Sequence, residues 1–194
     1  AQDLKHPRLE VIITVDEEIG MEGATGIDLS MLKGHTMLNL DSEEEGIFLT
    51  SCAGGARVKC SLPVQYVNHD NSSACYMIQI SGLIGGHSGV EIHKDRGNAN
   101  LILGAVLRSL RASGAELTVH QLKGGVADNA IPAVASAIVS YGTENTDKWM
   151  EVLKAQETEY RQRYADSDPG ITITCSPVQY TGAGYTSQSL DQIL

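Results

Sequence analysis

The chain has few basic side chains and no long apolar segment, and each absence excludes a class of protein. Its 14 Lys and Arg residues stand against 24 Asp and Glu residues, which gives a formal net charge of −10. Non-specific binding to nucleic acid needs clustered Lys and Arg, so no nucleic-acid partner is expected. No apolar run approaches the ~20 residues that cross a bilayer, so no membrane partner is expected either. The length of 194 residues and the hydrophobic fraction of 42% instead predict one or two globular domains.

The cysteines also lack the spacing of a metal or redox motif. No CxxC pair occurs among Cys52, Cys60, Cys75 and Cys175. In a chain of this length the pattern favours reduced, partly buried thiols, with a disulfide as the alternative. Reduced thiols are typical of the cytoplasm, which is the location that we expect.

Residues 1–55 have the pattern of a parallel α/β sheet. A nearly continuous β-branched run predicts a strand over 9–15 that is covered on both faces. A Gly-rich stretch with a short helix and a second strand over 35–40 follow, which makes one βαβ unit. A single unit cannot bury its own sheet. We therefore expect exposed sheet surface here, through which the chain can form a homo-oligomer.

After residue 55 the pattern changes to half-exposed antiparallel strands and amphipathic helices. Alternation of polar and apolar residues predicts strands over 58–66, 74–80, 116–122, 134–141 and 171–175. Helical spacing predicts helices over 98–112, 146–164 and 187–194. The predicted fold class is therefore α/β plus α+β. A partial parallel α/β segment (1–55) precedes an antiparallel sheet (56–194) with two helices on one face.

Acidic side chains follow both strands predicted in the first segment. Glu17 and Glu18 come just after the first strand, and Asp41 comes just after the second. Ligands of open α/β sheets bind outside the carboxyl ends of the strands, so these carboxylates are expected to converge. Converging carboxylates repel one another unless cations or protons neutralise them, and such oxygen ligands beside histidines could hold two zinc ions. The alternative is that they are solvated loop residues.

Two Gly-containing loops of the second segment are candidate substrate contacts. His87 lies within the sequence GGHSG, where it can donate a hydrogen bond to a substrate carbonyl oxygen in the transition state. Asn129 lies within GGVADNAIP and can hydrogen-bond a substrate carboxylate or amide. Taken alone, the His87 loop is equally compatible with an ordinary surface loop, and the Asn129 loop favours a plain turn of Gly, Asn and Pro.

A series of motifs resembles one family, the aminoacyl-histidine (carnosinase-like) dipeptidases: TVDEEIGMEGA, LNLDSEEEG, CAGG, GGHSGVEIH, GNAN and GGVADNAIP. These enzymes belong to a large group of two-zinc peptidases and deacylases. DEE or GGHSG alone would indicate only that group. The resemblance implies that residues 1–55 are part of a metallopeptidase catalytic domain. It also implies that residues 56–194 are part of a lid, or dimerisation-type, domain.

The resemblance also implies a role for each candidate residue. Glu17 is implied as the general base that activates a water held between two divalent metal ions, expected to be Zn²⁺. Glu18 and Asp41 are implied as ligands of these ions. In the second segment, His87 is implied to polarise the scissile carbonyl, and Asn129 to contact the dipeptide substrate.

Other metal ligands of the family have no match: a His-x-Asp pair before the first strand, a further bridging Asp and a last His. We therefore expect the chain to be a segment of a longer metallodipeptidase that hydrolyses Xaa-His and related dipeptides. By itself the segment is expected to be inactive and without bound metal. Two alternatives stay open: a related zinc deacylase or exopeptidase, and a non-catalytic dimerisation module.

Overall fold

The structure is a computed structural model that describes residues 4–18, 20–41, 45–51, 56, 58–68, 74–114, 116–142 and 146–194. The chain divides into two compact units, Ala1–Val58 and Lys59–Leu194, called here the first and the second unit. Within the described ranges, no helix combines the length and the apolar character that a membrane crossing demands.

The first unit contains little regular structure. Its described helices are a short α-helix, α1 (Glu22–Gly26), and a single 3-10 turn (Leu29–Met31). The strands predicted over 9–15 and 35–40 are not formed by the described residues. A strand exists through its ladder with a neighbouring strand, and a β-branched run cannot supply that ladder alone. The apolar side chains are exposed, as expected, but on irregular chain rather than on a sheet.

A contact within the first unit joins the predicted first strand to the residues just before the predicted second one. The Glu10 carboxylate accepts hydrogen bonds from the backbone N–H groups of Lys33 at 2.9 Å and Gly34 at 2.8 Å. The hydrogen bond from Gly34, followed by the one from Lys33, lowers the pKa of Glu10. A side chain therefore satisfies two backbone donors of the neighbouring segment here.

An antiparallel sheet of four strands forms the centre of the second unit. The strands of this unit are β1 (Tyr66–Val67), β2 (Cys75–Ser81), β3 (Gly86–His87), β4 (Leu117–Gly124), β5 (Ala130–Ile131), β6 (Ala135–Tyr141), β7 (Thr172–Val178) and β8 (Gly184–Tyr185). The sheet has the order β4-β6-β2-β7, with every neighbouring pair antiparallel. The strands predicted to begin at residues 74, 116, 134 and 171 are confirmed, with small shifts at their ends.

The helices of the second unit are α2 (Ala99–Ala112), α3 (Thr146–Arg163) and α4 (Ser187–Ile193). α2 begins after Asn98, whose side chain accepts hydrogen bonds from the backbone N–H groups of Asn100 and Leu101 at 3.0 and 3.3 Å. It ends just before Gly114, whose φ of 86° is the left-handed conformation of a helix stop. All three predicted helices are confirmed.

The core lies between the sheet and two of these helices. α2 packs on β2, β4 and β6, and α3 packs on β7 and on α2. The side chains at the centre of this layer are fully buried: Ile78, Ile80, Val106, Leu107, Leu110, Val119, Val139 and Trp149. Burial of each large aliphatic side chain contributes about 1.5–3 kcal/mol. The prediction of a mixed α/β protein with two helices on an antiparallel sheet is confirmed at this level.

The strand predicted over 58–66 is largely absent, because only β1 at its end finds a partner. That partner is the two-residue strand β8, in which Tyr185 lies opposite Tyr66. The described cysteines Cys60, Cys75 and Cys175 form no disulfide with one another. Burial raises the pKa of the Cys75 and Cys175 thiols, so both stay protonated at neutral pH.

Candidate functional site

The predicted metal-binding carboxylates lie in the first unit and are exposed to solvent. Glu17 is part of a turn in which its carbonyl accepts a hydrogen bond from the backbone N–H of Met21 at 3.2 Å. Glu18 lies in the same turn, and Asp41 lies in irregular chain. Residues 42–44 of the motif LNLDSEEEG and all of the motif CAGG (52–55) lie outside the described ranges.

The described residues do not complete a metal site. Nowhere in the described ranges do three His, Cys, Asp or Glu side chains come together closely enough to hold a metal ion. A structural or catalytic zinc site needs at least three protein ligands. The described donor set therefore does not fit the implied pair of metal ions, and the ligand roles of Glu18 and Asp41 stay predictions.

The candidate residues of the second unit are, in contrast, neighbours in space. β3 and β5 form a two-stranded antiparallel ribbon in which His87 lies opposite Ala130. The backbone N–H of Ser88 donates to the carbonyl of Asn129 at 2.8 Å, which extends the pairing by one further bond. The two loops that sequence patterns selected separately are thus one structural element.

The backbone around His87 determines which ring nitrogen can donate. The Nδ1 atom lies 3.0 Å from the backbone nitrogen of Gly89 and 3.3 Å from that of Val90. Because N–H groups only donate, Nδ1 is the acceptor, and the proton of the neutral ring lies on Nε2. A Cβ on Gly89 would come within 3.2 Å of the ring, so glycine allows this close turn. The exposed His87 side chain therefore presents an N–H donor at Nε2.

An ion-pair cluster supports the backbone of His87. The carboxylate of Glu91 accepts the backbone N–H of His87 at 2.8 Å and contacts the side chains of Lys94 at 2.7 Å and Arg96 at 3.3 Å. The Lys94 hydrogen bond, then the His87 N–H, lower the pKa of Glu91 to about 2, with a smaller effect of Arg96. This cluster was not predicted, although the alternating charges of EIHKDR, one residue after the GGHSG motif, indicate it.

A cleft of about 790 Å³ opens beside the ribbon. It lies between the first turn of α2 and the loop 124–132, and Ser88 and Ala130 of the ribbon line it. Polar side chains from both sides also line it: Arg96, Asn98, Asn100 and Asp128. Its volume is that of a small-molecule site, and its polar groups can orient a short peptide.

The second unit resembles a known protein family. Residues 78–168, which include the second half of β2, the strands β4 and β6 and both covering helices, match the family model of the peptidase dimerisation domain. This segment is therefore similar to the M20 peptidase dimerisation domain. The domain limits predicted for the lid, or dimerisation-type, domain (56–194) stay a prediction.

Two relatives extend the comparison to the first unit of this chain. The cytosol non-specific dipeptidase of Escherichia coli K12 is 30% identical over 193 residues, which is 100% of this chain and 40% of that protein. The aminoacylhistidine dipeptidase of Vibrio alginolyticus has a crystal structure with 27% identity and a TM-score of 0.72. The match covers 92% of this chain and 36% of that one. The predicted resemblance to the aminoacyl-histidine dipeptidases is confirmed, and the chain spans less than half the length of either relative.

Proposed function

We propose that this chain belongs to a dipeptidase in which the second unit presents the Nε2–H of His87 to the scissile carbonyl oxygen. The observation that carries the proposal is the acceptance of two backbone N–H groups by His87 Nδ1. A donor that is oriented before the reaction stabilises the negative charge that develops on the carbonyl oxygen. Because the backbone N–H groups already orient the ring before substrate binds, reaching the transition state requires no further ordering of it.

We propose the dipeptide Xaa-His as the substrate class. The printed names of both relatives support dipeptide hydrolysis, and the name of the Vibrio protein supports a histidine-containing substrate. Asn129 lies in an exposed loop beside the cleft and has an amide that can bond the substrate carboxylate. A deacylase acting on N-acyl amino acids is the competing activity, and parallel assays of both substrate classes distinguish the two.

The name of the Escherichia coli relative likewise supports a cytoplasmic location.

The roles proposed for the first unit rest on the resemblance. Glu17 is proposed to take a proton from the attacking water and to return it to the leaving amine. Glu18 and Asp41 are proposed as ligands of divalent metal ions, with zinc as the expected metal. The described residues bring no three such ligands together, so neither unit is proposed to hold the metal by itself.

The decisive experiment replaces His87 in the full-length protein. His87→Ala is expected to lower kcat for alanyl-histidine about 10²–10³-fold, which is typical of the loss of one oxyanion donor. KM is expected to change little, because the hydrogen bond strengthens only in the transition state. The matched control is Val90→Ala, a truncation of an exposed side chain in the same loop. Equal kcat values for His87→Ala and the wild type would refute the proposal.

A second proposed role is pairing with another copy of the chain, as the family description of residues 78–168 suggests. β7 is an edge strand of the sheet, and a groove of about 670 Å³ runs between it and α3. Apolar side chains from both elements line the groove, among them Met150, Leu153 and Ile173, together with the charged side chains of Asp147, Glu151, Lys154 and Glu157. An edge strand with unpaired backbone groups beside apolar surface is a site where a second sheet can add.

A further inference from the structure

Asp168 is a fully buried carboxylate between α3 and β7. Its side chain is 0% exposed, which is rare for an aspartate. Its backbone is fixed at both groups: the N–H donates to the Tyr164 carbonyl at 2.8 Å, and the carbonyl accepts the N–H of Ile171 at 3.1 Å. A charged group in this position needs hydrogen-bond donors that compensate for the loss of water.

The two carboxylate oxygens of Asp168 find these donors at two separate places in the chain. Oδ1 accepts the backbone N–H of Ile84 at 2.7 Å, and Oδ2 accepts the backbone N–H of Gly97 at 2.7 Å. Ile84 and Gly97 are the ends of the segment 84–97, called here the His87 loop. One side chain therefore holds both ends of the loop that carries His87.

The base of the His87 loop is closely packed at Gly97, where a larger residue would require the Leu83 side chain to shift. A Cβ at this position would lie 2.8 Å from the Leu83 side chain and 3.6 Å from Asp168 Oδ2. Next to it, a Cβ on Gly82 would lie 1.9 Å from the Gly170 carbonyl oxygen, so the backbone segments before the loop and before β7 are in direct contact. This close approach leaves the Asp168 carboxylate little room to change its partners.

Inside the loop, a series of contacts leads from its base to His87. The Arg96 guanidinium, next to Gly97, donates to the Gly85 carbonyl, next to Ile84. Arg96 also contacts Glu91, which accepts the backbone N–H of His87. The position of the imidazole therefore depends on a chain of contacts that begins where Asp168 holds the loop.

We propose that Asp168 is a positioning residue for His87. By holding Ile84 and Gly97 at a fixed separation, the carboxylate keeps the Nε2–H of His87 at the place where the substrate carbonyl is bound. The inference rests on the proposed oxyanion role of His87. It adds that a residue outside the loop and without substrate contact determines how well that donor is aligned.

Asp168→Asn tests the proposal with almost no change in shape. The amide offers one acceptor and one NH₂ group, so one of the two backbone N–H groups faces another donor and one end of the loop is released. In the full-length protein, kcat for alanyl-histidine is expected to fall about 10²-fold, as for small misalignments of a catalytic group, while KM changes little. The control is Val139→Ala, which removes buried volume from the core under α2 and leaves the loop contacts in place. Its kcat is expected to stay near that of the wild type at temperatures where both variants are folded.

A double-mutant cycle separates positioning from a general loss of structure. If Asp168 acts through His87, Asp168→Asn is expected to change kcat less than about threefold once His87→Ala is present. An undiminished loss in that background would overturn the positioning role while leaving the proposed function intact. No loss of kcat in His87→Ala alone would overturn both.

A measurement on the unaltered protein keeps the proposal testable if Asp168→Asn does not fold. The amide protons of Ile84 and Gly97 are expected to exchange with solvent as slowly as those in the middle of α2, because both are bonded to a buried carboxylate. Exchange of either amide at the rate of an exposed loop would overturn the proposal.

Discussion

Asn100 and Gly124 approach each other so closely that a Cβ on Gly124 would lie 1.8 Å from the Asn100 Oδ1 atom. Asn100 belongs to the first turn of α2, and Gly124 ends β4, so the contact joins the two walls of the cleft. The glycine is required here by space, since its backbone lies where any side chain would displace the Asn100 amide.

Gly124→Ala is therefore expected to destabilise the protein by about 1 kcal/mol, the low end of the cost of inserting volume into a packed contact, because the exposed Asn100 side chain can move. In the Asn100→Ala background the cost is expected to fall, because only the contact with the Ala135 side chain at 3.0 Å is left. Denaturant midpoints of the four proteins in this cycle provide the measurement. Equal costs in both backgrounds would contradict the expectation.

The ion-pair cluster of Glu91 predicts a pH dependence of stability. The folded pKa of about 2 lies below the ordinary glutamate value of 4.5, so the charged form is favoured by folding. The stabilisation is present in full above about pH 4.5 and is lost as the pH falls through the folded pKa. Thermal midpoints measured between pH 6 and pH 2 are expected to fall less steeply for Glu91→Gln than for the wild type. The control is Glu116→Gln, which replaces an exposed carboxylate just before β4. Parallel curves for the wild type and Glu91→Gln would contradict the assignment.

Local sequence signals predicted those elements that are stabilised locally. The start of α2 is marked by the Asn98 cap and its end by Gly114, so its limits could be predicted closely. The run over 9–15 has strand composition but forms no strand, because a ladder depends on neighbours that composition does not encode. The two-residue strands β3 and β5 are too short for any periodicity, and only the fold pairs them.

The candidate site divides in the same way. Motif resemblance selected His87 and Asn129, but the tautomer of His87 follows from backbone atoms that no side-chain pattern reveals. Asp168 has no motif and lies far along the chain from the loop that it holds, so only tertiary structure identifies it. The described residues give Glu18 and Asp41 no shared metal site, and sequence resemblance is still their only support.

Pairing through the groove of α3 and β7 predicts a change of mass in solution. Met150 is 49% exposed and lines the groove, so Met150→Glu places a charge on the surface proposed to contact a second copy. The full-length protein is expected to shift from dimer towards monomer in sedimentation equilibrium. Ala155→Glu is the matched control, since it adds the same charge at an exposed position of α3 outside the groove. Unchanged mass for Met150→Glu, or equal shifts for both variants, would argue against this interface.

Replacement of the neighbouring acids Glu17 and Glu18 is expected to separate their proposed roles. In the full-length protein, Glu17→Gln removes a proton acceptor but keeps the shape of the side chain. The kcat for a dipeptide is therefore expected to fall 10²-fold or more, with the bound metal content unchanged. Glu18→Ala is instead expected to lower the metal content, because a ligand is lost. Elemental analysis of the purified variants, beside kcat, distinguishes the outcomes. A Glu17→Gln protein with full activity would remove the proton-transfer role, because an amide cannot accept that proton at neutral pH.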